Sequence, residues 1–252
     1  MNVVFFDYDD TILPSSCIQS LVRTINDPGD DWWKQLPSVE KVFGSGEQWL
    51  EYQEAICRHF LLWHQDREVI VISNGEYQWI MKTCELYLPQ LHHFWKQNHT
   101  VILSAPDLFP NLIKRGLHLA KAELMRRCVH SFDAKTVISF GDSMIDRQAL
   151  LDVAKHFPSR KYISVKLRDL PDPFHLQQQN NHLWLTSKRW KREVLEQEET
   201  VTFLDYVYMD FEFTGSATFS DEPDSPRLGG VAAASYHTSP APVPLEFCEY
   251  VP

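Results

Sequence analysis

The chain has 252 residues, of which 44% are hydrophobic and 13% aromatic, and its formal net charge is −10. A chain of this length and composition can bury a sizeable core, which excludes a wholly disordered protein. The excess of 34 acidic over 24 basic residues argues against a general binder of nucleic acids or anionic membranes, because such binding needs a basic face.

Five short runs rich in β-branched and aromatic residues are predicted to be strands. They are apolar almost throughout, which is typical of strands covered on both faces. Their bounds are Val3–Phe6, Val69–Ile72, Thr100–Leu103, Thr136–Phe140 and Tyr162–Leu167. The stretches between them carry apolar residues at helical spacing, at Gln48–His64, Tyr77–Leu88, Leu117–Val129 and Ile145–Ala154. This alternation predicts a doubly wound, Rossmann-like α/β fold, with a parallel sheet of about five strands and helices on both faces.

Two segments interrupt or extend this pattern within residues 1–213, which are predicted to form one α/β domain. Residues 14–46 follow the first strand, contain Trp32, Trp33 and several turn formers, and are interpreted as a small cap or flap insert. The segment Val201–Phe213 is apolar and aromatic enough to pack on the domain, and its sequence is compatible with either a strand or a helix.

Residues 214–252 have a different composition, rich in serine, proline, glycine and alanine. Six of the fifteen prolines lie between Pro223 and Pro252, and from Glu212 to Pro252 there are six acidic residues and one basic residue. Such a segment buries too little apolar surface to offset the entropy of ordering it, so we predict a disordered acidic tail. One expected role of this tail is to bind a protein partner.

The compartment is predicted from cysteine usage and from the distribution of apolar residues. The five cysteines form no C-x-x-C pair and are odd in number, which is typical of reduced thiols. The N-terminus has no signal-peptide pattern, and no run approaches the ~18 apolar residues that span a bilayer. We therefore expect a cytoplasmic protein without a membrane segment.

The first strand ends in the acidic string Asp7-Tyr8-Asp9-Asp10-Thr11. Two carboxylates this close are costly to keep ionised unless a cation neutralises one or a proton is shared. That combination suits covalent phosphoryl transfer, in which one carboxylate attacks phosphorus and a second carboxyl group protonates the leaving oxygen. An acidic turn that merely caps the next segment is the alternative.

The fourth strand runs into a second acidic string, in which Asp142 and Asp146 follow Gly141. If the strand order reverses between the first and fourth strands, Asp7 and Asp142 flank the crevice where ligands bind in such sheets. Carboxylate oxygens together with water and phosphate oxygens favour Mg²⁺.

Two further elements carry groups that bind anions. Ser73-Asn74-Gly75 directly follows the second strand and offers a hydroxyl and backbone N–H groups, although the same triplet is also an ordinary turn. A lysine upstream of Gly141 is the other element, with Lys121 preferred and Lys114 as its competitor.

These four elements, in this order over about Met1–Leu167, resemble the haloacid dehalogenase (HAD) superfamily. The resemblance implies that Asp7 is the phosphoryl-accepting nucleophile, that Asp9 is the general acid and base, and that Thr11 braces the turn. It also implies a phosphate site at Ser73, the Asn74 backbone and Lys121. The implied Mg²⁺ ligands are Asp7, the Asp9 carbonyl and Asp142, with Asp146 in support.

The details of the motifs refine the expected function. An aspartate at Asp9 favours phosphatase chemistry over dehalogenase or ATPase chemistry, and Asp10 stands where many members of the superfamily have glycine. A small or absent cap would leave the site open to phosphoproteins as well as small phosphorylated molecules. We therefore expect a Mg²⁺-dependent phosphatase. The alternative is a catalytically idle scaffold that binds a partner through the tail or the basic cluster Lys188–Arg192.

Overall fold

The computed structural model describes residues 1–23, 35–64, 67–195 and 201–205, with the backbone alone described for 23 and 187–195. Their strands form one sheet in which every neighbouring pair is parallel. The strands are β1 (Asn2–Phe6), β2 (Glu68–Ser73), β3 (Val101–Ser104), β4 (Thr136–Gly141), β5 (Lys161–Lys166) and β6 (Val201–Asp205). The order across the sheet is β3-β2-β1-β4-β5-β6. The predicted Rossmann-like α/β fold is confirmed.

The sheet has six strands instead of about five, and the sixth lies in the segment that the sequence left open between strand and helix. β6 pairs with β5 from Tyr162 against Val201 to Lys166 against Asp205. The five predicted strands match β1–β5 to within one residue at each end. Residues 206–252, which include the predicted tail, lie outside the described residues.

Helices flank the sheet, and those in the described ranges are as follows. They are α1 (Ser15–Arg23), α2 (Val39–Phe43), α3 (Gly46–His64), α4 (Tyr77–Tyr87), α5 (Pro89–Asn98), α6 (Ala105–Leu108), α7 (Pro110–Ile113), α8 (Leu117–Ser131), α9 (Met144–His156) and α10 (Pro173–Leu195). No helix in the described part of the chain is both long enough and apolar enough to cross a bilayer. The predicted insert at 14–46 contains α1 and α2, while its residues 24–34 lie outside the description.

Alternate residues of the central strand face two separate hydrophobic clusters. Val4 and Phe6 of β1 enter a cluster that includes residues of α3, α4, α5 and α10. Val3 and Phe5 enter the other cluster, which includes residues of α8 and α9. Because β1 is covered on both faces, its residues have to be apolar on both, which is why the strand is a continuous apolar run.

Of the long helix α10, the sequence predicts only the stretch around Lys188–Arg192 as helical. Its segment is rich in glutamine and asparagine, and its buried positions include Leu176 and Leu183 as well as the polar Asn180. The Oδ1 atom of Asn180 lies 2.7 Å from Nδ1 of the buried His59 on α3. Polar contacts of this kind replace apolar ones on the packed face, so the helical period of apolar residues is weak. The side chains of the basic cluster Lys188–Arg192 lie outside the described part of this helix.

The strand order sets where a ligand can bind. From β1 the chain proceeds outward through β2 and β3 on one side and, after returning, through β4, β5 and β6 on the other. The reversal therefore falls between β1 and β4, which pair from Asn2 with Thr136 to Phe6 with Phe140. The carboxyl ends of these two strands border the crevice used by ligands in open α/β sheets.

Candidate active site

The chain makes a tight turn as it leaves β1. The Asp7 N–H group donates to the Phe140 carbonyl at 2.9 Å, which extends the β1–β4 ladder by one residue. The Tyr8 carbonyl then accepts hydrogen bonds from the backbone N–H groups of Ile12 and Leu13 at 2.9 and 3.0 Å. Asp10 has a φ of 56°, a left-handed conformation that aspartate tolerates better than most residues.

Asp7 is buried at the mouth of this turn. Its Oδ1 atom accepts hydrogen bonds from the Tyr8 N–H group at 2.8 Å and from Lys121 Nζ at 2.7 Å. Among the described residues, these hydrogen bonds to the carboxylate both end on Oδ1. The Oδ2 atom of Asp7 accepts no hydrogen bond from the described residues.

Lys121 reaches this carboxylate from α8 and is itself almost completely buried, with 1% of its surface exposed. Its Nζ atom lies 2.5 Å from Oδ1 of Asp146 and 2.7 Å from Oδ1 of Asp7, so the ammonium group bridges two carboxylates. Lys114, its competitor in the sequence, is exposed just after α7. The geometry thus brings Lys121, and not Lys114, to Asp7.

Three buried or half-buried carboxylates converge beside the lysine. One oxygen from each of Asp7, Asp142 and Asp146 lies within 4.8 Å of the others, a spacing that would let them share a metal ion. Asp146 is oriented by Ser143, whose hydroxyl donates to Oδ2 at 2.7 Å. A Cβ atom on Gly141 would lie 2.4 Å from Cγ of Asp146, so a glycine is required at 141 for Asp146 to enter the cluster.

The crowding of acidic groups shifts their protonation equilibria. Burial raises the pKa of Asp7 well above its usual range, and the neighbouring Asp146 raises it further, while Lys121 opposes both. Burial, together with Asp146 and Asp10, raises the pKa of Asp142 to about 7. Burial by itself would lower the pKa of Lys121, but the attraction of Asp146 and Asp7 outweighs burial and raises it. The lysine therefore stays charged, and the raised pKa values of Asp7 and Asp142 favour the protonated forms of these two carboxyl groups.

Asp9 points away from this cluster and towards β2 and α4. Its Oδ1 atom accepts hydrogen bonds from the Ser15 hydroxyl at 2.5 Å and from the Trp79 indole N–H at 2.9 Å. Its Oδ2 atom accepts from the Ser73 hydroxyl at 2.8 Å. The structure thus links the predicted general acid directly to the predicted phosphate-binding serine.

The remaining predicted residues lie around the same edge of the sheet. The Ser73 hydroxyl accepts a hydrogen bond from the Gly75 N–H group at 2.8 Å. The Oδ1 atom of Asn74 is buried and has no hydrogen-bond partner among the described residues. Thr11 is also buried, and its hydroxyl group has no hydrogen-bond partner among the described residues. Its backbone N–H group donates to the Tyr8 carbonyl at 3.4 Å. No side-chain hydrogen bond of Thr11 therefore braces the turn within the described residues.

Three residues near the site were given no role by the sequence analysis. Ser15 and Trp79 hold Asp9. Lys166 ends β5 opposite Gly141, and its positive charge partly opposes the rise in the pKa of Asp142 that burial causes. Trp79 lies among apolar residues at helical spacing, so its sequence pattern indicates a core residue. No local signal shows which atom its N–H group contacts.

Comparison of the chain with models of protein families, with curated proteins and with solved structures finds no match. The functional interpretation therefore depends on the site itself.

Proposed function

We propose that the chain is a Mg²⁺-dependent phosphatase that hydrolyses phosphoric monoesters through an aspartyl-phosphate on Asp7. The observation that carries this proposal is the position of the Lys121 ammonium group, which is buried and bridges Asp7 and Asp146. Lysine is almost never fully buried unless it is paired, and perturbed titratable groups cluster at functional sites.

The donor set suits a divalent cation of the Mg²⁺ type. When all three are ionised, Asp7, Asp142 and Asp146 contribute three negative charges and Lys121 one positive charge, which leaves two negative charges in a largely buried cluster. Carboxylate oxygens are the hard ligands that Mg²⁺ prefers. Mg²⁺ held by Asp7 and Asp142, with Asp146 beside them and the Asp9 carbonyl as a further predicted ligand, would supply positive charge to the phosphoryl oxygens.

Asp7 is the proposed nucleophile. Because Lys121 and the Tyr8 N–H group hold Oδ1, the attacking atom is Oδ2. Attack forms a bond between Oδ2 and phosphorus as the bond from phosphorus to the leaving oxygen breaks. Ser73, the Asn74 backbone and Lys121 are proposed to hold the phosphoryl oxygens during this step, which requires the Ser73 hydroxyl to exchange Asp9 for the substrate.

Asp9 is the proposed general acid and base. In the first step its protonated carboxyl group gives a proton to the leaving oxygen. In the second step a water oxygen forms a bond to phosphorus as the bond between phosphorus and Oδ2 of Asp7 breaks, and inorganic phosphate leaves. The Asp9 carboxylate takes the proton of that water, which restores both carboxyl groups. The proposed substrates are phosphorylated small molecules or phosphoproteins.

The proposal is tested by the hydrolysis of p-nitrophenyl phosphate by the purified full chain, with Mg²⁺ and with EDTA. Turnover is expected only with the metal, and Asp7→Asn should reduce it about a thousandfold or more because the nucleophile is lost. Asp133→Asn is the matched control, since Asp133 is a highly exposed aspartate outside the site and should leave turnover unchanged. Absence of Mg²⁺-dependent turnover over a range of pH, or equal activity of Asp7→Asn, would refute the proposal and favour the scaffold.

A further inference from the structure

Tyr8 stands between the first two aspartates of the acidic turn, but its ring lies in the core. It is completely buried in the hydrophobic cluster that also contains Val4 and Phe6. Asp7 instead contacts Lys121 of α8, a helix that packs on the other face of the sheet. Successive side chains of an extended chain alternate between the two faces in this way. A ring without exposed surface cannot contact a ligand, so any role of Tyr8 in a reaction is indirect.

The backbone of Tyr8 holds both the Asp7 carboxylate and the turn that follows it. Its N–H group donates to Oδ1 of Asp7 at 2.8 Å. Its carbonyl accepts hydrogen bonds from the N–H groups of Ile12 and Leu13 at 2.9 and 3.0 Å. A displacement of this one residue would therefore move the donor on Asp7 and the acceptor of the turn together.

The side-chain hydroxyl of Tyr8 connects this backbone to α4. It lies 2.7 Å from Oγ1 of Thr83, which is also completely buried. Because the Thr83 hydroxyl donates its one proton to the Trp79 carbonyl at 2.7 Å, the Tyr8 hydroxyl is the donor to Thr83. The same helix contacts Asp9, since the Trp79 indole N–H donates to its Oδ1 atom at 2.9 Å. The hydrogen bonds on Asp7 and Asp9 are therefore linked through one buried side chain.

We propose that Tyr8 is a positioning residue whose buried hydroxyl fixes the turn that carries Asp7 and Asp9 to α4. With the turn fixed, the Tyr8 N–H group stays on Oδ1 of Asp7 and leaves Oδ2 for the attack on phosphorus. This inference rests on the proposed phosphatase activity. Attack requires a close and aligned approach of the nucleophile, so a looser turn slows the chemical step more than it weakens substrate binding.

The test is the kinetics of Tyr8→Phe, which removes the hydroxyl and retains the ring, with p-nitrophenyl phosphate and Mg²⁺. Rates are expressed per folded molecule, with the folded fraction measured by circular dichroism at the assay temperature. We expect kcat and kcat/KM to fall alike by about tenfold, because a displacement of a full ångström costs about a hundredfold and one lost hydrogen bond loosens the turn by less. KM should change by less than about twofold, since the hydroxyl contacts no part of the crevice.

Tyr87→Phe is the matched control. Tyr87 is also a completely buried tyrosine, at the end of α4, and its hydroxyl donates to the Pro37 carbonyl at 2.7 Å. Its loss removes a comparable hydrogen bond outside the acidic turn, so both kcat and KM should stay at the wild-type values.

Two substitutions of Thr83 separate positioning from core packing. Thr83→Val retains the shape of the side chain and removes the hydroxyl, whereas Thr83→Ser retains the hydroxyl and removes a methyl group. We expect Thr83→Val to lower kcat about as much as Tyr8→Phe does, and Thr83→Ser to keep a rate near that of the wild type. A role in packing alone predicts the reverse order. The double variant Tyr8→Phe/Thr83→Val should be no slower than either single variant, because the two hydroxyls act as one unit.

The outcomes separate this inference from the proposed function. An unchanged kcat in Tyr8→Phe, an equal loss in Tyr87→Phe, or a larger loss in Thr83→Ser than in Thr83→Val would each overturn the role of Tyr8 while leaving phosphatase activity established. Failure of the wild-type chain to hydrolyse p-nitrophenyl phosphate would refute the phosphatase proposal itself, and the role of Tyr8 with it.

Discussion

Replacing Lys121 by methionine removes the positive charge that lies between two buried carboxylates while retaining a long apolar side chain. The Nζ atom lies 2.7 Å from Asp7 and 2.5 Å from Asp146, and all three side chains are at most 8% exposed. Removing one partner of a buried ion pair costs about 3–5 kcal/mol, because the remaining charges are left without compensation. A domain of this size has a free energy of unfolding of about 5–15 kcal/mol, so the loss is a large fraction of it.

The assay is equilibrium unfolding in urea with EDTA, followed by circular dichroism at neutral pH. We expect the free energy of unfolding of Lys121→Met to be lower than that of the wild type by about 3–5 kcal/mol. Lowering the pH should restore part of this difference, because the pKa of Asp7 is raised by burial and by Asp146, and protonation of Asp7 removes its repulsion with Asp146. Mg²⁺ should also restore part of it if the cation binds the same carboxylates.

Lys155→Met is the matched control. Lys155 also pairs with an aspartate, Asp152, at 2.7 Å, but its side chain is 69% exposed. Exposed pairs of this kind contribute about 0–1 kcal/mol, so the control should unfold almost like the wild type. If Lys121→Met were destabilised no more than Lys155→Met, the electrostatic account of the site would be refuted.

The remaining predictions concern the acidic cluster. With EDTA present, the free energy of unfolding should fall as pH rises from about 4 to about 7, because the folded chain holds a proton on Asp142 that the unfolded chain has lost. Urea unfolding at both pH values measures this fall in the free energy of unfolding. The fall should be smaller in Asp142→Asn, and an equal fall in the variant and the wild type would contradict the raised pKa of Asp142. Gly141→Ala should weaken Mg²⁺ binding about tenfold in calorimetry, since the added Cβ displaces Asp146, whereas unchanged affinity would show that Asp146 does not support the metal.

Much of this fold is encoded locally. The runs that became β1–β5 are apolar on both faces because both faces of the sheet are covered, and this requirement is visible residue by residue. Asp7, Ser73 and Asp142 lie at or just after strand ends, so parallel pairing alone brings them to one edge of the sheet. Local patterns therefore predicted the architecture and the neighbourhood of the candidate site.

The tertiary structure decided what depends on contacts between distant segments. Packing sets the strand order and the pairing of β6 with β5. It also sets the contact of Asn180 on α10 with His59 on α3, and polar contacts of this kind leave only a weak pattern in the sequence. The sequence favours Lys121 but leaves Lys114 as a competitor, and the path of α8 is what buries Lys121 between two carboxylates. The contact of Trp79 also depends on tertiary structure. Its position in a helical pattern indicates a buried ring, but not the atom that its indole N–H contacts. That N–H group donates to Asp9 because the turn at Gly75 brings α4 close to the acidic turn after β1. Periodicity reports which face of an element is buried, whereas hydrogen bonds across 70 residues are fixed by how the elements pack.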